Sequence, residues 1–276
     1  MQINSFKDNQ KEYLEYLIRK QLGKRTISKY ISDVKRFYGF AAGREIDFDT
    51  VSEFKESLLR KYKSATVNSY LISLNLYFRW CGYSELYMSL VKCQKLYYCP
   101  SELLREEYER LLEYADLHGE IRWYLVMRCL GGMGIRVGEL RFITAESLEN
   151  GCAEIHYKAK LRHVLIPDTL CTLLKEYCEA FGIRSGAVFL NKKGTAPIDS
   201  SVVWRNLKKI AEAAGVEKTK VYPHNFRHMF AREYMNVFGN LVELSDILGH
   251  SSVETTRIYT KASKETQRRK MEALNL

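Results

Sequence analysis

Seven side chains in this sequence have the types and spacing to act on a phosphate. Arg136 follows a glycine-rich stretch, Gly131-Gly132-Met133-Gly134. Lys158 opens a basic segment, Lys158-Ala159-Lys160-Leu161-Arg162. His224, Arg227 and His228 fall in the first turns of one predicted helix. His250 follows Gly249, and Tyr259 lies nine residues further on. Arginine forks grip non-bridging phosphate oxygens and stabilise the charge that builds at phosphorus. A tyrosine hydroxyl can act as a covalent nucleophile, and a lysine or histidine can protonate a leaving oxygen. The chemistry read from this set is phosphoryl transfer.

Each member alone has a plainer reading. A tyrosine after Thr255 and Thr256 is more often a half-buried packing residue. His228 reads as a structural helix residue. The glycines near 131–134 lack the strand and the Lys-Ser/Thr of a phosphate loop, so they read as a turn. Arg268-Arg269-Lys270 reads as a solvated helix face. Residue type, order and spacing taken together outweigh these single readings.

The stretches that hold the set are Gly134-Ile135-Arg136-Val137-Gly138-Glu139-Leu140, His224-Asn225-Phe226-Arg227-His228, Leu248-Gly249-His250 and Tyr259. They resemble the signature of the tyrosine recombinases, the integrase/Xer/Cre family of site-specific DNA recombinases. The likeness is strong over residues 104–276 and looser before them. It implies that Tyr259 attacks the scissile phosphate to give a 3′-phosphotyrosine and a free 5′-hydroxyl. It also implies that Arg136 and Arg227 clamp the phosphate and that Lys158 protonates the leaving 5′-oxygen. His224 would be the acid/base, and His250 would hydrogen-bond a phosphate oxygen. Glu139 would orient the site from three residues beyond Arg136. The family hairpin usually reads Gly-Lys-Gly, whereas this one reads Tyr157-Lys158-Ala159-Lys160, so Lys160 is a rival acid. Gly138 stands where serine is commoner, a change expected to be harmless.

The resemblance implies double-stranded DNA target sites and no cofactor or metal, since the phosphotyrosine conserves the bond energy. It implies a homotetramer in the synapse, with a C-terminal helix near 262–273 docking on a neighbour through Met271 and Leu274. It also implies a cytoplasmic, nucleoid-associated protein of a prokaryote or mobile element. The little room before residue 8 suggests a simple recombinase without an arm-binding domain. Two other readings stay open: a non-catalytic DNA-binding regulator on the same scaffold, and a type IB-like topoisomerase.

These residues need a frame. Residues 26–38 place Ile27, Tyr30, Ile31, Val34, Phe37 and Tyr38 on one helical face. Lys29, Lys35 and Arg36 fall off that face, available to a DNA backbone. A second helix near 65–80 would bury Val67, Leu71, Leu74 and Phe78, with Ser64 as its N-cap. Further helices are expected near 8–21 and 50–62, making an all-α, four-helix-type unit. Residues 84–101 lose this periodicity and read as a connector, although Leu90 and Val91 could pack. The rest reads as mainly helical with a small antiparallel hairpin, an α+β unit. Its helices are expected near 104–116, 120–131, 168–181, 200–214, 224–236, 241–248 and 262–273. Strands are expected at 153–157 and 164–166 around a basic tip carrying Arg162, a DNA contact, with a short strand at 188–190. The expected boundaries are 1–90 for a DNA-grip domain, 91–101 for a linker and 102–276 for a catalytic domain.

Composition agrees with a nucleic-acid partner. The 276 residues carry a formal charge of +10, of which residues 1–100 supply +7. A surplus of this size favours a polyanion. No apolar run reaches the length of a membrane span, and the first eight residues have no apolar signal core. Seven cysteines without a CxxC pair fit neither a zinc site nor a disulfide framework, and they suit a reducing compartment.

Overall fold

The computed structural model describes residues 6–92, 102–157 and 160–249, together with residues 256 and 272. The chain divides into two compact units, Met1–Leu96 and Tyr97–Leu276.

The N-terminal unit is built from helices α1 (Phe6–Arg19), α2 (Lys24–Ala41), α3 (Phe48–Lys61) and α4 (Ser64–Cys81). The apolar stripe read from α4 is its core face: Val67, Leu71, Leu74 and Phe78 are all buried. Phe37 of α2 meets Phe54 and Phe78 edge-on, with ring centroids 5.3 and 5.5 Å away. Such pairing adds specificity beyond the area it buries. Ser64 is not a cap. It is the first helical residue, the N-cap position is Lys63, and no side chain caps the helix. Packing of the buried stripe, more than a cap, fixes where α4 begins.

The connector begins later than the loss of periodicity suggested. Leu86 and Met88 are buried against this unit. Asn75 donates from Nδ2 to the Met88 carbonyl (2.8 Å) and accepts from the Met88 N–H (3.0 Å). Asn68 does the same for Val91, at 2.9 and 2.8 Å. Positions 68 and 75 are two helical turns apart, so both amides face the same side. Each amide replaces the partner strand that the extended chain lacks.

The C-terminal unit contains α5 (Arg105–Leu117), α6 (Ile121–Met133), α7 (Ala145–Glu149), strands β1 (Cys152–Tyr157) and β2 (Lys160–Leu165), α8 (Asp168–Ala180), α9 (Ser200–Ala213), α10 (Pro223–Phe238) and α11 (Leu241–Leu248). A single 3₁₀ turn covers Val137–Phe142. The expected helix near 262–273 lies outside the described residues apart from Glu272, which is helical. Leu125, Val126, Leu130, Leu140, Ile155, Leu174, Leu207 and Phe226 share one continuous core.

Three expectations are corrected here. Gly131 and Gly132 continue α6 to Met133, so the turn before Arg136 is shorter than it reads. Burial of Leu130, Gly131 and Met133 in this last turn outweighs the glycine penalty of about 1 kcal/mol per residue, while Gly132 faces outward. Residues 188–190 form no strand. Among the described residues the only ladder is β1–β2, and this region makes isolated bridges, Thr144 to Ala187 and Leu190 to Pro197. Val188 and Phe189 are both fully buried, so neighbouring side chains do not alternate as a half-exposed strand requires. Third, β2 begins earlier than expected. Tyr157 pairs with Lys160, so Lys160, Leu161 and Arg162 belong to β2 and not to a loop.

Removing the Asn75 amide should expose its importance. Asn75→Ala leaves the Met88 N–H and carbonyl unpaired and should cost about 2–4 kcal/mol. Urea unfolding at unchanged m-value measures this, and a loss under about 0.5 kcal/mol would contradict the assignment.

Candidate active site

The geometry starts at the end of α6. Gly134 caps that helix in the left-handed region (φ +60°), and a Cβ there would lie 2.4 Å from the Phe230 ring. Glycine is therefore required for backbone and space alike. The chain then extends through Arg136 and enters the 3₁₀ turn. The i→i+3 geometry brings Glu139 back onto Arg136. Glu139 accepts from the Arg136 main-chain N–H through Oε2 (2.7 Å) and from its guanidinium through Oε1 (2.9 Å). Glu139 is 1% exposed. A Cβ at Gly138 would meet nothing within 4 Å, which agrees with a harmless departure at that position.

Arg162 meets the same carboxylate. Its Nη2 donates to Glu139 Oε2 at 2.6 Å, and its Nη1 donates to the Ile247 carbonyl near the end of α11. The expectation of an exposed basic tip at Arg162 is corrected, because the side chain is only 15% exposed. Strand register gives the reason. Arg162 pairs with Ile155, and Ala153 pairs with Val164 on the same face. Ala153, Ile155 and Val164 are buried, so Arg162 points inward with them. Burial lowers its pKa, opposed by the Glu139 charge, and the Arg136 charge lowers it further. Gly249 sits directly against it at φ +62°, where a Cβ would fall 2.5 Å from Arg162 Cδ.

Helix α10 supplies the remaining groups. Pro223 occupies its first turn, where a missing N–H costs nothing. His224 follows, and Arg227 lies one turn further on. Arg227 is 1% exposed, and its Nη1 and Nη2 donate to the carbonyls of Gly134 (2.7 Å) and Leu248 (2.6 Å). These carbonyls belong to the C-terminal ends of α6 and α11, where the helix dipole is negative. The guanidinium thus ties three helices together at one point. Desolvation, then the charges of Arg227 and Arg136, lower the His224 pKa below its usual value of 6.5. The ring is therefore neutral at pH 7 and able to accept a proton. The His228 ring lies 4.2 Å from that of His224, edge to face.

The structure thus brings together Arg136, Glu139, Arg162, His224 and Arg227. Lys158, His250 and Tyr259 lie outside the described residues, and Lys160 is placed only as the first residue of β2. Arg136 and Arg162 share the Glu139 carboxylate, while Arg227 and the neutral His224 imidazole lie beside them, a charge balance suited to an anion.

The other sequence-picked cations are in the N-terminal unit. Lys29 pairs with the buried Asp33, which also accepts from Ser73 Oγ (2.6 Å). Arg36 donates to the hydroxyls of Tyr62 (3.0 Å) and Tyr70. Both cations lie within 5.5 Å of the Tyr70 ring centroid, so they are exposed but held in place. Lys35 is exposed on the same helix. The sequence reading missed one fastening. Arg232 of α10 pairs with Glu102 (2.8 Å) and donates to the Leu103 carbonyl (3.2 Å), anchoring the entry to the C-terminal unit.

Comparison with known proteins follows the same outline. The profile of the Phage integrase family matches residues 101–266, and that of the Phage integrase N-terminal SAM-like domain matches residues 11–82. Tyrosine recombinase XerD of Staphylococcus haemolyticus is 30% identical over 286 residues, covering 94% of this chain and 95% of that protein. Tyrosine recombinase XerA of Pyrococcus furiosus is 28% identical over 273 residues, covering 96% and 93%. The crystal structure of XerH site-specific recombinase bound to difH substrate superposes with a TM-score of 0.70 at 25% identity, covering 93% of this chain and 83% of that one. A lambda integrase tetramer bound to a Holliday junction shares the fold, with a TM-score of 0.72 at 18% identity over 95% of this chain and 80% of that one. Among the described residues no helix is long and apolar enough to cross a membrane.

The lowered His224 pKa has a definite sign. The unfolded chain takes up the proton near pH 6.5, and the folded chain does so only at lower pH. His224 therefore contributes no penalty well above pH 6.5. As pH falls from there towards its lowered pKa, the unfolded chain gains a proton that the folded chain does not, so stability is lost across that window and levels off below it. Ring-proton NMR should place its midpoint below 6.5, and Arg136→Ala should move the midpoint upward. A midpoint above 6.5 would contradict this account.

Proposed function

The chain belongs to the phage integrase family, the tyrosine recombinases, and on that premise we propose that it cuts and rejoins DNA at specific sites through a 3′-phosphotyrosine. The observation that carries the reading is the convergence of Arg136, Arg227 and His224 at one place with surplus positive charge.

Arg136 and Arg227 hold the non-bridging oxygens of the scissile phosphate. Their charge is worth most as negative charge builds in the transition state. The Tyr259 hydroxyl attacks phosphorus, and neutral His224 accepts or positions its proton. The bond from phosphorus to the 5′-oxygen breaks, and Lys158 delivers a proton to that oxygen. His250 donates to a phosphate oxygen. Glu139 orients Arg136. The phosphotyrosine keeps the energy of the broken bond, so a 5′-hydroxyl can attack it and rejoin the strand without ATP or metal. Lys29, Lys35 and Arg36 grip the duplex backbone from a domain spanning residues 1–90, with the linker at 91–101 and the catalytic domain at 102–276. Four copies form the synapse, each docking residues near 262–273 on a neighbour. The protein works in the cytoplasm on the nucleoid or a mobile element.

The test is covalent capture. Nicked random-sequence duplexes incubated with the full chain should yield a protein–DNA adduct, and sequencing the captured DNA gives the site. Tyr259→Phe should capture nothing; an adduct persisting in that variant would overturn the assignment. Specific binding without any capture would favour a non-catalytic regulator. Relaxation of supercoiled plasmid without site preference would favour a topoisomerase.

Two further outcomes are expected. A substrate with sulfur at the bridging 5′ position leaves without protonation. It should restore cleavage to Lys158→Ala; rescue of Lys160→Ala alone would give the acid role to Lys160. Binding should weaken steeply with salt, because phosphate contacts release counterions. A flat response between 50 and 200 mM salt would count against the grip.

A further inference from the structure

We propose that Arg162 is a positioning residue that sets the lysine-bearing hairpin, Arg136 and the chain leaving α11 as one rigid unit. The proposal rests on the recombinase reading above and adds to it a residue that touches no DNA.

Arg162 stands on β2, four positions after Lys158 and two after Lys160. One guanidinium nitrogen binds the Glu139 carboxylate, which also holds Arg136 by backbone and side chain. The other binds the carbonyl of Ile247, three residues before His250 and twelve before Tyr259. Arg162 Nε is buried without a hydrogen-bond partner among the described residues and lies against Gly249. A cation this deep is kept only where its partners are fixed, since an unpaired buried charge is expensive. The same fork therefore fixes three things at once: the strand that carries the candidate acids, the clamp arginine, and the end of the helix from which the nucleophile's segment departs. Only a planar fork reaches both partners. A lysine offers one nitrogen and can satisfy Glu139 or Ile247, not both.

Position matters at this scale because a displacement of about 1 Å in a reacting group can cost about 100-fold in rate. Arg162→Lys and Arg162→Met should bind the captured duplex within about 3-fold of wild type yet form the phosphotyrosine adduct about 100-fold more slowly in single turnover. The lysine variant should retain more activity than the methionine variant. Glu139→Gln combined with Arg162→Lys should be little worse than either alone, because both act through one network.

Hydrogen exchange gives a readout free of activity. Exchange should quicken in both 136–142 and 244–249 when Arg162 is replaced, while the N-terminal unit stays unchanged. Should Arg162→Met fail to fold, the lysine variant carries the test. Wild-type adduct rates in a folded variant, or losses in DNA binding as large as those in cleavage, overturn the proposal. Unchanged exchange in 244–249 overturns it as well. If the wild-type chain itself captures no duplex, the recombinase reading falls first and this proposal with it. A capturing wild type with an indifferent Arg162 removes this proposal alone.

Discussion

In the C-terminal unit one buried carboxylate, Glu139, stands against two guanidinium groups, while a third, that of Arg227, is held by the carbonyl ends of two helices. Carbonyl groups orient a cation without cancelling its formal charge. The arrangement found keeps the pocket cationic and still rigid. Much of the unit follows from it. Helices α6, α10 and α11 must end or begin where their termini can meet Arg227. The turn at Gly134 must be left-handed, and the 3₁₀ segment must return Glu139 to Arg136. His224, at the start of α10, is then held neutral by desolvation and by the two neighbouring arginines.

The two units handle positive charge differently. The first hundred residues carry +7 of the net +10, spread over helix surfaces. Lys29 and Arg36 are steadied there by tyrosines and by Asp33, and they remain exposed. Exposed charges of this kind act over distances comparable to the Debye length and are weakened by salt. The C-terminal unit carries only +3, yet it sets Arg136 and Arg162 on one buried carboxylate and buries Arg227 against two helix-end carbonyls. Few charges in a low-dielectric setting can exert more on a single phosphate than many on a surface. In the function proposed above, net charge is the property of the grip and placed charge that of the chemistry.

Helix faces were readable because periodicity and burial are the same physical fact. Val67, Leu71, Leu74 and Phe78 needed no tertiary information to be assigned. Arg136, His224 and Arg227 were singled out because type and order together are improbable by chance, and the structure brings them together. What escaped the sequence was set by contacts distant in the chain. Arg162 looked like a loop cation because Lys158 to Arg162 is polar and short, yet pairing with Ile155 leaves it on the inner face of a strand. Asn68 and Asn75 read as ordinary surface amides, although they hold an extended segment that has no strand partner. Gly131 and Gly132 read as turn residues because local propensity cannot register that the last turn of α6 is buried.

Closely set arginines repel one another, and their burial adds a desolvation cost to that repulsion. In the free protein both are offset by packing around the site, by Glu139, and by the Ile247 carbonyl that Arg162 also holds. A phosphate entering the site supplies the missing negative charge, and a phosphoryl group in its transition state supplies more. The pocket is therefore better matched to the charge of the transition state than to the resting chain, which is the condition for lowering a barrier and not merely for binding. Among the described residues Glu139 is the carboxylate that Arg136 and Arg162 share. A site fully neutralised by its own carboxylates would be more stable, and it would have little left with which to act on a phosphodiester.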